Sequence, residues 1–117
     1  VARKNPARNR SAKMRMLMQF TIPVEAGNDS VKAGSIGPTI KKILDTMKPE
    51  AAYFGAFEDG KRGGFIVFDM KDTSQIPSIA EPLFLAFNAK VAFYPAMNAQ
   101  DLANAGPALE AVAKARA

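Results

Sequence analysis

From Met14 to Ile22 apolar and polar residues alternate, with Met16, Met18, Phe20 and Ile22 in one phase and Leu17, Gln19 and Thr21 in the other. That is the period of a half-buried strand. Glu25 to Ser30 is polar and contains a glycine, which predicts a loop. Beyond it Ile36, Ile40, Ile43, Leu44 and Met47 recur at helical spacing, and Lys48-Pro49 ends the helix. Its start has two readings: Asp29 or Ser30 caps a long helix, or Gly37-Pro38 opens a shorter one. AAYFGAFE and RGGFIVFDM then flank Asp59-Gly60, a strong hairpin signal, and predict two adjacent antiparallel strands. Asp72, Thr73 and Ser74 offer capping side chains to a second helix carrying Ile76, Ile79, Ala80, Leu83 and Phe87. AKVAFYPAM predicts a fourth strand, with Pro95 placing it at an edge or marking its end. Asn98 caps a turn containing Asp101 and Leu102, and after Gly106-Pro107 the run ALEAVAKARA forms a short helix.

The order β-α-β-β-α-β with a C-terminal helical tail predicts an α+β, ferredoxin-like fold: a four-stranded antiparallel sheet with its helices on one face. In a monomer the other face meets water and should read polar. With Met16, Met18, Phe20, Phe54, Ile66, Phe68, Met70, Val91 and Phe93 under the helices, that face instead carries Leu17, Gln19, Thr21, Tyr53, Phe57, Phe65, Val67, Asp69, Ala92 and Tyr94. It is too apolar to stay exposed, and a partner sheet stacked on it, in a two-fold homodimer, is the economical solution.

A chain of 117 residues that is 48% hydrophobic has one domain's worth of core. We expect it to span residues 14–117. The absence of cysteine and histidine removes disulfides, thiolate nucleophiles, imidazole proton shuttles and the usual zinc sites. No apolar run reaches the length of a membrane span. The net charge of +5 is segregated: Arg3, Lys4, Arg8, Arg10, Lys13 and Arg15 meet no acid in residues 1–15, leaving ten basic residues against eleven acids in the rest. The folded part therefore lacks the basic face that binds phosphates, and no nucleic-acid partner is expected. Residues 1–13 hold one large apolar residue and no periodicity, and read as a disordered basic leader. A cytoplasmic location fits the absence of cysteine.

GPTIKKIL, KPEAAYF, GKRGGFIVFD, DTSQIPSIAEPLFLAFNAKV and PAMNAQDLANAG carry a resemblance. The chain resembles the dimeric α+β barrel superfamily, and within it a set of small uncharacterised bacterial proteins. Some of those carry an automatic pantothenate synthetase label. The genuine synthetase resembles the much larger nucleotidyl transferases, which rely on histidine-containing motifs, and a chain without histidine does not fit it.

The chemistry left to the chain rests on oxygen and ammonium groups. On the expected dimer interior, Asp69 beside Tyr53 and Tyr94 is a candidate general base in an apolar cavity. The resemblance implies a comparable pocket, since cofactor-free isomerases and oxygenases of the superfamily use apolar cavities with few polar groups. Leu17, Gln19, Thr21, Phe65 and Val67 would line such a cavity, and Glu81, preceding Pro82, would stand at a pocket mouth where the proline frees a carbonyl. No cofactor or metal is expected, because the carboxylates lack metal-ligand spacing. Lys61-Arg62 before Gly63-Gly64 offers a further, weaker anion-binding signal that matches no phosphate-loop pattern. Three readings remain: a dimer binding a small apolar or aromatic molecule, a cofactor-free isomerase, lyase or monooxygenase acting on one, or a structural or partner-binding module whose interior is filled by its own side chains.

Overall fold

A computed structural model describes residues 13–116. The expected leader, residues 1–13, lies outside them apart from Lys13. Four strands, β1 (Met14–Thr21), β2 (Ala51–Ala56), β3 (Arg62–Met70) and β4 (Lys90–Pro95), form one antiparallel sheet in the order β2-β3-β1-β4. This is the ferredoxin-like order, with β2 and β4 at the edges. Pro95 accordingly ends an edge strand, where its missing N–H breaks no interior ladder. The hairpin turns tightly at Asp59 and Gly60, both with positive φ (52° and 71°), and Lys61 N–H donates to the Glu58 carbonyl at 3.0 Å. Two left-handed residues match the twist of the flanking strands, which is why Asp-Gly stands there.

Between β1 and β2 the chain forms two helices, α1 (Val24–Lys32) and α2 (Ile36–Met47). The expected loop over Glu25–Ser30 is therefore corrected to helix. Its weak helix formers are overridden by packing, since Gly27 and Ser30 are buried and Ala26 lies against the core. Gly34, with φ +73°, breaks the helical path and separates α1 from α2. Lys48 in the left-handed conformation ends α2 immediately before Pro49.

After β3 comes α3 (Ile76–Phe87), preceded by a short 3-10 turn in which the Asp72 carboxylate accepts from Ser74 N–H at 2.8 Å. The Ser74 side-chain and backbone hydrogen bonds hold the Asp72 pKa below its ordinary value. A carboxylate with a lowered folded-state pKa stabilises the fold above its unfolded pKa and loses that contribution as pH falls through the folded one. Asp72→Ala is thus expected to lower the melting temperature at neutral pH, with the gap from the native chain closing in acid. Parallel thermal melts at the two pH values check it.

The core lies between the sheet and α1–α3. Met16, Met18, Phe20, Ile66, Phe68 and Met70 point from the sheet to meet Ile43, Ile79, Leu83 and Phe87 from the helices. Beyond β4, α4 (Ala99–Asn104) opens with a reciprocal capping box between Asn98 and Asp101. Helix α5 (Gly106–Arg116) has no buried residue and leaves Leu109 and Val112 more than half exposed, at 58% and 57%. Among the described residues no helix is long and apolar enough to cross a membrane.

Candidate functional site

Strand register orders the open face into rows. Tyr53, Phe65, Gln19 and Ala92 form one row across the four strands; Ala51, Val67, Leu17 and Tyr94 form the next; Gly55, Gly63, Thr21 and Lys90 close one end. At the other end Asp69 pairs with Arg15. Phe57 reaches back over this face, edge-on to Phe65 at 4.9 Å, with its ring 3.0 Å from where a Gly55 Cβ would be. Tyr53, Tyr94 and Phe57 are 67%, 50% and 42% exposed. The sequence-derived residues Leu17, Gln19, Thr21, Tyr53, Phe65, Val67, Asp69 and Tyr94 do share this face. Glu81 does not: α3 buries Ile79, Ala80 and Leu83 toward the sheet's other side and leaves Glu81 in solvent.

Within one chain the expected catalytic trio does not converge. Tyr53 and Tyr94 lie on opposite edge strands, three strand spacings or about 14 Å apart. Asp69 is exposed and sits one row beyond Val67. Its surroundings are ionic: Arg15 donates to Glu50 Oε1 at 2.9 Å and also pairs with Asp101, which ties α4 to this end of the sheet. The hydrogen bond to Glu50 chiefly raises the Arg15 pKa above its ordinary value, with the charges of Glu50, Asp101 and Asp69 adding to it against partial desolvation. Asp69 is therefore a cross-strand neighbour of a guanidinium that Glu50 and Asp101 already hold. Removing that guanidinium should release α4: Arg15→Ala is expected to speed amide hydrogen exchange across 98–105 while leaving the core amides protected.

A strongly apolar recess is on the helix side of the sheet. A groove of about 710 Å³ runs between α2 and the β2–β3 hairpin, lined by Phe20, Ile22, Ile40, Leu44 and Phe54, with Lys41, Asp45 and Arg62 as its charged members. It exists because the inward residues of β2 are Ala52, Phe54 and Ala56, and Phe54 faces Gly64 across the ladder. Small side chains there cannot fill the space up to α2. Gly64 is required, since a Cβ would lie 2.7 Å from the Phe20 ring and 2.9 Å from that of Phe54. Those rings meet edge-on at 6.2 Å. Ile36, Ile40 and Leu44, which recur at helical spacing as core positions would, border the groove because alanine and glycine stand opposite them.

A second recess of about 450 Å³ separates α2 from α3, and a polar one of about 540 Å³ collects Lys48, Lys71, Glu50 and Asp69. Among the described residues no three acidic, histidine or cysteine side chains gather as a metal site. Comparison with protein-family models, curated proteins and solved structures gives no match.

Proposed function

We propose that this chain is a small-molecule-binding protein that works as a two-fold dimer of the dimeric α+β barrel kind. Two copies stack their open sheet faces, and each holds an apolar or aromatic ligand in the groove between α2 and the hairpin. The observation that carries this reading is the groove, whose volume of about 710 Å³ falls in the range of small-molecule sites and whose walls are mostly aliphatic and aromatic. The dimer is supported by the row of Leu17, Val67 and Tyr94 beside Phe65, Phe57 and Tyr53. A second copy presents the same apolar surface, as an isologous interface requires.

Phe54→Trp tests the ligand half. The chain has no tryptophan, so this conservative change plants a single tryptophan in the groove wall, excited apart from the two tyrosines. Titration with phenylpropanol should shift its emission saturably; a linear response or none contradicts the reading.

A further inference from the structure

We infer that the groove selects ligands bearing a carboxylate, which Arg62 grips at its hairpin end. The inference rests on the groove being the ligand site and names the class of molecule it takes.

Arg62, half-buried, opens β3 beside the hairpin turn and is one of the groove's lining residues. It folds across α1 at Gly27: a Cβ there would lie 2.6 Å from Arg62 Nη1, 3.2 Å from Cδ and 3.4 Å from Cζ. A glycine inside a helix costs about 1 kcal/mol relative to alanine. At Gly27 the missing methyl makes the notch in which the guanidinium lies.

The two other cations at hand contrast with Arg62. Lys41, in the same groove, is already paired with Asp45 at 2.8 Å. Arg15, at the other end of the sheet, holds Glu50 and Asp101. Among the described residues the Arg62 guanidinium has neither an ion-pair partner nor a side-chain hydrogen bond. A permanently charged group with five donors thus borders an apolar groove and, among the described residues, lacks an acceptor.

Its planar fork matches a carboxylate bidentately. A single guanidinium with Asp45 on the same groove disfavours a phosphate dianion, whose second charge would have no partner. The favoured ligand is therefore a monocarboxylate with an aryl or alkyl body, the body lying among Phe20, Ile40, Leu44 and Phe54. This also gives a role to the Lys61-Arg62-Gly63-Gly64 run: its side chain, rather than its backbone amides, supplies the anion contact.

The test titrates the full chain, followed by amide NMR, with phenylpropionate and with the neutral phenylpropanol. Phenylpropionate should bind roughly 10- to 100-fold tighter, the value of a charge-assisted hydrogen-bond pair. Arg62→Gln should bring the acid's affinity down to that of the alcohol measured on the same variant. Gly27→Ala, which displaces the guanidinium without removing it, should act in the same direction. Equal affinity for acid and alcohol in the native chain, or an acid affinity indifferent to Arg62→Gln, overturns the inference and leaves the groove reading standing. If the alcohol's shifts avoid Ile36–Leu44 and Phe54–Gly63, the groove reading itself fails. The dispersed amide spectrum of each variant reports whether it is folded.

Discussion

Gly63→Ala is expected to destabilise the chain by about 3 kcal/mol, the upper end of the usual cost of overpacking. A Cβ at position 63 would lie 2.3 Å from the Phe20 carbonyl oxygen and 3.4 Å from the Thr21 Cα. These are backbone atoms of β1, an inner strand held by β3 on one side and β4 on the other, so they cannot swing aside as a side chain would. Gly63 itself pairs with Thr21 and with Gly55, and the strain would spread into both ladders. Gly37→Ala makes the control. Apart from its chain neighbours and the helix's own backbone nothing lies within 4 Å of that Cβ, its φ is not positive, and it stands in α2, where alanine is the better helix former. Urea unfolding of the two variants should therefore move in opposite directions. A Gly63→Ala chain within a few tenths of a kcal/mol of native would contradict the strand packing described above.

Val67→Glu is expected to convert the proposed dimer into a folded monomer. Val67 is on β3, level with Leu17 of β1, so the two inner strands put it at the middle of the open face. In a separate chain the new carboxylate can reach water and the fold survives. In stacked sheets it would be buried without a partner, at about 3 kcal/mol or more per copy. Two copies then weaken association by roughly 10⁴-fold. Light scattering reads the mass and circular dichroism reads the fold. An unchanged oligomer would place the dimer contact elsewhere, and a native chain already monomeric would remove the dimer.

The strands were legible in the sequence because their signals are local. Alternation over Met16–Ile22 and the Asp59-Gly60 turn each fix a phase without long-range information, and the sheet order followed from the element order. Helix α1 was not legible: Gly27, Asn28, Asp29 and Ser30 are poor helix formers, and what favours the helix is the burial of Gly27 and Ser30 with Ala26 against the core. The open face was read residue by residue, since strand phase alone sorts side chains to one side or the other. The groove was not, because a helical stripe looks the same whether the sheet beneath it is full or hollow. The difference lies in Ala52, Ala56 and Gly64, whose small size matters only once register sets them opposite α2. Arg62 showed in the sequence as one basic residue of a hairpin; its fit to Gly27, thirty-five positions earlier, is a tertiary fact.

Native mass spectrometry of the protein purified from its own cells reads oligomeric state and bound ligand together. The expected species has twice the 12.6 kDa chain mass and carries one small molecule with an apolar body per chain. A bare monomer would contradict both halves of the account, and a dimer without added mass would contradict its ligand.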